Sequence, residues 1–199
     1  MRNVAIVFAR APRLGAVKRR LARDIGDRAA LRFHAGSMRR LLRALARERR
    51  FASLVALTPD RAALRLPVRI GRIPQGSGDL GKRMDRAFRR FRRERVVLVG
   101  CDIPGMGVHD LHAAFRALGR APSVFGPAED GGYWLVGMGP RRPARPFAGV
   151  RWSTFHALAD TRRNFAAHRG LLLRTLRDVD TAADLPAQGK PTVIRCRNG

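Results

Sequence analysis

The chain has 199 residues, 45% hydrophobic and 28% charged, and 41 basic against 15 acidic side chains give it a formal charge of +26. That length suits a single domain, and the apolar content is too high for an intrinsically disordered chain. No apolar run approaches the roughly 20 residues of a membrane helix, and the opening MRNVAIVFARAP is too short in its apolar part for a signal peptide, so a cytoplasmic protein is expected.

The two cysteines, Cys101 and Cys196, are far apart and lack CxxC spacing, which excludes a disulfide framework and a zinc knuckle. Only Lys18, Lys82 and Lys190 among the basic residues are lysines, an imbalance that codon bias alone would produce. The competing account is a surface that attracts polyanions through its summed field. Aromatic residues are few, at 7%, and are not interleaved with the arginines as stacking platforms would be, so a nucleic-acid partner is disfavoured.

In chain order, Val4 to Phe8 and Val96 to Val99 are continuous apolar runs, the pattern of strands buried on both faces of a parallel sheet. Ser53 to Thr58, Val68 to Ile73, Ser123 to Phe125, Tyr133 to Met138 and Leu171 to Leu176 are weaker strand candidates. Between them, Leu31, Met38, Leu41, Leu42 and Leu45 define one helical stripe. A second helix carries Met84, Ala87, Phe88 and Phe91, and a third Leu111, Phe115 and Leu118. A fourth starts at Ser153 or Thr154, natural N-caps, and carries Phe155 and Leu158. Alternating strands and helices imply a three-layer α/β/α sandwich on a mostly parallel, mixed sheet. One domain is expected over residues 1–189, with a C-terminal tail at 190–199. Gly139 to Pro146, GPRRPARP, reads as a loop able to move.

Ligands of open α/β sheets bind at the carboxyl ends of strands, so the loops there are where chemistry is sought. After the first strand, Pro12 and Gly15 lead into a helix start presenting Lys18, Arg19 and Arg20, a phosphate site or an ordinary basic helix start. QGSGDLGKRM, Gln75 to Met84, spells both GxGxxG and GxxxxGK. Arg83 stands where a P-loop needs a hydroxyl, and Val68 to Ile73 alternates like an edge strand rather than the central strand a dinucleotide fingerprint needs. What survives is a glycine loop able to approach a ligand, with Asp79 and Arg83 as polar contacts.

VVLVGCDIPG ends a buried strand in Asp102, bracketed by Gly100 and Pro104. An unpaired carboxylate there is costly, and a hard cation bridging it to a diphosphate would offset that; the competing role is a helix N-cap. GPAEDGGYWLVG presents Glu129 and Asp130 on a turn as general-base candidates, or as a turn only. RDVDTAADL places Asp178 and Asp180 as a further ligand or as caps for a short helix, and Trp152 packs or stacks on a ring.

Taken in order, FARAPRLGAVKRRL, QGSGDLGKRM, GCDIPG, GPAEDGGYWLVG, WST and DVDTAADL resemble the radical-SAM/selenodomain-associated, arsenosugar-type glycosyltransferase-like family of the GT-A nucleotide-diphospho-sugar transferase fold, over about residues 4 to 185. The family pattern runs FAKAPxPGxVKTRL, QGxGDLGxRM, a GSDCPG-like turn, GPAxDGGYYLxG, WST and DxDTxxDL. The resemblance implies phosphate binding by Lys18 and Arg20, a Mg²⁺ or Mn²⁺ ion on Asp102 and Asp180, and nucleotide contacts from Gln75, Gly76, Gly78, Asp79 and Arg83. It also implies that Glu129, Asp130 and Gly131 face the donor or acceptor sugar, with Asp130, Glu129 and Lys18 as the catalytic set. Arg10, Leu14, Arg19 and Cys101 depart from the pattern, and Arg19 sets a long cation where the family has a hydroxyl.

The expected activity is metal-dependent transfer of a sugar from a nucleotide-diphospho-sugar to a small-molecule acceptor. The alternatives are nucleotidyl transfer from a nucleoside triphosphate with release of pyrophosphate and, further off, a non-catalytic nucleic-acid binder or a dinucleotide oxidoreductase. A membrane partner is not expected, and the sequence leaves the donor, the acceptor and the oligomeric state open.

Overall fold

A computed structural model describes residues 1–166 and 170–185. The strands are β1 (Asn3–Arg10), β2 (Ala52–Thr58), β3 (Ile70–Pro74), β4 (Arg95–Val99), β5 (Ser123–Pro127), β6 (Tyr133–Met138) and β7 (Gly170–Leu172). The helices are α1 (Arg19–Ile25), α2 (Asp27–Arg47), α3 (Leu80–Arg89), α4 (Val108–Ala117) and α5 (Ala157–Arg163), followed by a short 3₁₀ turn, Ala182–Asp184. The expected tail at 190–199, with Lys190 and Cys196, lies outside the described residues.

The seven strands form one sheet in the order β3-β2-β1-β4-β6-β5-β7. The pairs β1·β2, β1·β4, β2·β3 and β5·β7 are parallel, whereas β6 runs antiparallel to both β4 and β5. The apolar runs occupy the centre because both faces of β1 and β4 are covered. Ala5, Val7, Val97 and Val99 pack with Met38, Leu42 and Leu45 of α2 and Leu111 and Phe115 of α4. Val4, Ile6, Val96 and Leu98 pack on the opposite face with Met84 and Phe88 of α3 and with Phe165. Each buried Val, Leu, Ile, Met or Phe side chain contributes about 1.5–3 kcal/mol through its removal from water. Three layers follow from those two clusters, and β3, which carries the exposed Arg72, sits at the sheet edge. Among the described residues, no helix is long and apolar enough to cross a membrane.

Three local expectations are corrected. The last strand stops at Leu172 rather than Leu176, although Leu176 still makes a parallel bridge to Ala128. The fourth predicted helix begins only at Ala157, because Ser153 takes a left-handed φ of 60° and Thr154 uses its hydroxyl to bond Arg151 O. The Gly139 to Pro146 loop is pinned by Arg142, whose guanidinium bonds the carbonyls of Phe88, Phe91, Glu94 and Gly139 and lies over the Phe88 ring. An arginine in a Pro-rich loop reads as solvated, but here it satisfies the open C-terminal end of α3.

β1 leads into the sheet one way to β2 and the other way to β4, so the crevice outside their carboxyl ends is the topological switch point where ligands of such sheets bind.

Candidate active site

Lys18 closes the loop after β1 in a left-handed backbone conformation, φ 46° and ψ 50°, immediately before α1. Its side chain turns inward, only 8% exposed, and Nζ lies 3.5 Å from Asp102 Oδ2, 3.1 Å from Asp178 Oδ1 and 3.5 Å from Asp180 Oδ1. Three carboxylates from two separate strand-end loops thus converge on one ammonium. Burial alone would lower the Lys18 pKa, but the three negative charges outweigh it and raise it. Arg20 reaches the outer oxygen of Asp180 at 3.3 Å while remaining 70% exposed.

Asp102 follows β4 and caps no helix, since α4 starts six residues later, after Gly107, and its first turn is held by Asp110 accepting from the Gly107 amide at 2.9 Å. The other oxygen of Asp102 meets His34 Nδ1 at 2.8 Å and accepts from the Cys101 thiol at 3.0 Å. Burial would raise the Asp102 pKa, yet the His34 bond and the charges of Lys18 and His34 hold it down at about 2. Burial followed by the Asp102 charge pushes the Cys101 thiol well above its ordinary value, so it stays protonated. His34, Cys101 and Asp102 together bring three possible ligand atoms within 4.8 Å of one another.

His34 was not among the residues singled out from the sequence. Its signal is nonetheless present: Ala30, His34, Met38, Leu41, Leu42 and Leu45 are the buried positions of α2, so a polar ring occupies an apolar place in the helical stripe. A stripe traced through apolar residues alone, Leu31, Met38, Leu41, Leu42 and Leu45, passes over it.

Asp178 and Asp180 are placed by the chain after β7. Leu176 N bonds Pro127 O, Glu129 N bonds Leu176 O, and Trp134 Nε1 bonds Arg174 O. Arg174 then grips the buried Asp110 in a two-point ion pair at 2.8 and 2.9 Å and bonds Gly105 O, so the loop after Asp102 and the strand end carrying Asp178 are fastened to each other. Beyond Asp180, the Thr181 amide and hydroxyl both donate to Asp184, and Ala182 N donates to Asp24 of α1. Thr181 caps the turn, leaving Asp178 and Asp180 free to face Lys18. The Asp178 carboxyl is raised, by burial first, with the Asp180 charge adding and Lys18 opposing.

The Gln75 to Met84 loop departs from expectation. Gln75 is 1% exposed, and its amide donates to Ala9 O and Ala56 O while its Oε1 accepts from Arg83. Its side chain is therefore a strut joining β1, β2 and α3, with no group left for a nucleotide. Arg83 is drawn to it for the same reason. Asp79 caps α3 by accepting from Lys82 N at 2.7 Å. Gly76 packs so closely on the Arg86 guanidinium that a Cβ would lie 2.5 Å from it, and its amide donates to Asp60. Gly76 and Gly78 both take positive φ, leaving backbone as the loop's means of approaching a ligand.

Glu129 is exposed, with Arg177 4.0 Å away, and Asp130 accepts from Gly132 N as a turn residue does. Among the described residues Asp130 has no ion-pair partner. Gly131 is dictated by the approach of the 155 backbone, for a Cβ would fall 2.1 Å from Phe155 O, and its own φ is +80°.

Two cavities flank the carboxylates. One, about 550 Å³, is lined by Arg10, Lys18, Arg19, Arg20, His34, Asp102, Ser153 and Asp180. The other, about 280 Å³, is walled by apolar and aromatic side chains that include Phe8, Tyr133 and Trp152, with Asp130 and Asp178 among its polar residues. Ser153 lines both. Trp152 also packs against Phe147 and Tyr133, so it serves the core and the cavity wall together.

A family profile described as "Uncharacterized protein conserved in bacteria (DUF2064)" matches residues 41–154, more than half of the chain. Among curated proteins none matches. Among solved structures the fold is similar to that of a Desulfovibrio desulfuricans G20 protein provisionally assigned as a nucleotide-diphospho-sugar transferase. The TM-score is 0.80 at 29% identity, over 91% of this chain and 84% of that one. It is also similar to 4-diphosphocytidyl-2C-methyl-D-erythritol synthase from Anaerococcus prevotii DSM 20548, with TM-score 0.58, 10% identity and coverage of 92% and 94%. Rv0371C from Mycobacterium tuberculosis H37Rv, solved in complex with manganese, gives 0.51, 17%, 92% and 96%. The last two likenesses show a shared nucleotide-diphospho-sugar transferase-like fold and no more.

Proposed function

The chain belongs to the DUF2064 family of bacterial proteins, and from that premise and the site geometry we propose that it is a metal-dependent transferase acting on a nucleotide-linked substrate. The observation that carries the reading is the convergence of Asp102, Asp178 and Asp180 on Lys18 Nζ at a switch point of the sheet. Glycosyl transfer from a nucleotide-diphospho-sugar to a small acceptor is the first form of this reading, in keeping with the solved structure at 29% identity. The arsenosugar-type chemistry of the sequence resemblance is one candidate for the sugar and acceptor.

By its chemistry the donor set suits a hard divalent cation, carboxylate oxygens from two loops, although Lys18 Nζ holds the point on which they converge. Asp102 and Asp180 would hold it, with Asp178 beside them. When bound, the ion would neutralise the charge that grows on the diphosphate as the bond to the transferred group weakens. The remaining work falls to the chain's own residues. His34 keeps Asp102 anionic and oriented. Lys18, Arg19 and Arg20 line the larger cavity and supply positive charge for phosphate oxygens, and such preorganised charge is worth about 100- to 1,000-fold in rate per contact. Gly78 offers its backbone amide to the nucleotide, the Gly76 amide being held by Asp60. Asp130, on the rim of the smaller cavity, takes the proton of the acceptor.

Nucleotidyl transfer is the second form, favoured by the four cations Arg10, Lys18, Arg19 and Arg20 around one cavity, enough for a triphosphate. Product analysis with Mg²⁺ or Mn²⁺ separates the two. Release of a nucleoside diphosphate from a sugar nucleotide supports glycosyl transfer, release of pyrophosphate from a triphosphate supports nucleotidyl transfer, and neither product with any common donor contradicts both.

A further inference from the structure

The smaller cavity carries information about the acceptor. Its walls come from Phe8, Leu80, Met84, Leu98, Tyr133 and Trp152, backed by Trp134 and Val136. Of its three aromatic residues with polar atoms, two already have partners elsewhere: the Trp134 indole donates to Arg174 O at 3.2 Å, and the Tyr133 hydroxyl lies 3.4 Å from Thr161 Oγ1. The side-chain polar groups lining it, Asp130, Ser153, Thr154 and Asp178, come from loops rather than from the sheet floor.

A polyhydroxylated sugar would leave hydroxyls unpaired against such a floor, each losing its hydrogen bonds to water without replacement. An apolar body with one polar end meets no such cost. The volume, about 280 Å³, lies at the lower end of small-molecule sites.

Resting on the transferase reading above, we propose that the acceptor is a small hydrophobic alcohol, its apolar body in this cavity and its hydroxyl toward Asp130 and Asp178. In the transfer step the acceptor oxygen forms a bond to the anomeric carbon of the donor sugar. The bond from that carbon to the diphosphate breaks, its electron pair leaving on the diphosphate oxygen, and the hydroxyl proton passes to the Asp130 carboxylate. Ser153, which lines both cavities, marks the junction where donor and acceptor meet.

The test is ligand-observed NMR and tryptophan fluorescence on the full chain, with benzyl alcohol and cyclohexanol as probes and glucose as the contrast, without any donor. Both alcohols are expected to bind and to perturb tryptophan emission, and glucose to do neither. Ala128→Trp, which fills the cavity, is expected to weaken alcohol binding about tenfold or more. Leu80→Trp is the substitute if that variant does not fold. Glucose binding without alcohol binding, or alcohol binding untouched in a folded filled variant, overturns the proposal. A parallel titration of Mn²⁺ with nucleoside diphosphates reports on the transferase reading by itself. Nucleotide binding with no alcohol binding sinks the acceptor class alone, whereas absent nucleotide binding sinks the reading on which it rests.

Discussion

His34 Nδ1 lies 2.8 Å from Asp102 Oδ1 while its Nε2 lies 2.9 Å from Arg10 O. One ring nitrogen thus lies at ion-pair distance from a carboxylate and the other at hydrogen-bond distance from a backbone carbonyl. The pair is buried on the histidine side and presents one carboxylate oxygen outward, toward Lys18. Such a partner fixes the direction of a ligand and its negative charge at once.

His34→Gln should therefore fold with a loss of about 1–3 kcal/mol, read by urea denaturation. It should also weaken Mn²⁺ binding about 10- to 100-fold, the usual cost of removing a group that orients a ligand. Unchanged Mn²⁺ affinity in the folded variant would remove the orienting role.

Lys18 occupies the point on which the three carboxylates converge, so it competes with a cation there before any phosphate arrives. Lys18→Met should bind Mn²⁺ more tightly than the parent in the absence of nucleotide. The same variant should bind nucleoside diphosphates more weakly. Calorimetric titrations of each ligand check the opposite signs, and a drop in both affinities would contradict the competition.

Gln75 tests strut against contact. Gln75→Leu removes the bonds to Ala9 O, Ala56 O and Arg83 and leaves buried carbonyls unpaired, with an expected cost of about 2 kcal/mol or more. Nucleotide affinity, measured where the variant is fully folded, should change far less than the stability does.

The clamp between Asp110 and Arg174 supplies a pH dependence. Burial would raise the Asp110 carboxyl, but the Arg174 hydrogen bonds foremost, then the Gly107 amide, hold it below its ordinary value of 3.8. A depressed carboxyl stabilises the fold above its unfolded value and loses that stabilisation as pH falls through the folded one. Urea midpoints should thus drop below about pH 4, and Asp110→Asn should be less stable at neutral pH with a shallower acid loss. An equal acid loss in both proteins would place the effect elsewhere.

The fold was legible because its central strands are unbroken apolar runs whose neighbours repeat with helical spacing. Asp102 was legible for a related reason: a carboxylate that ends a buried strand has no packing role to play. Gln75 was misread because the letters of a glycine loop do not say whether a side chain faces the ligand or the sheet. His34 was missed because the α2 stripe is legible only through its apolar residues, and a polar ring on the same face does not stand out from them. The clamp made by Arg174 was beyond reach, since in a chain this rich in arginine nothing local distinguishes one that bridges two loops from one that is simply solvated. Asp178 was weighed as a ligand, but only the path of the chain after β7 brings it to Lys18 at 3.1 Å.

Asp102 is the residue proposed to couple a divalent ion to a nucleotide diphosphate. The direct measurement is calorimetric titration of a nucleoside diphosphate into the parent and Asp102→Asn, each with and without Mn²⁺, after circular dichroism has established that both are folded. Mn²⁺ should strengthen nucleotide binding in the parent and have no effect in the variant. Equal, Mn²⁺-dependent binding in both proteins would contradict that role.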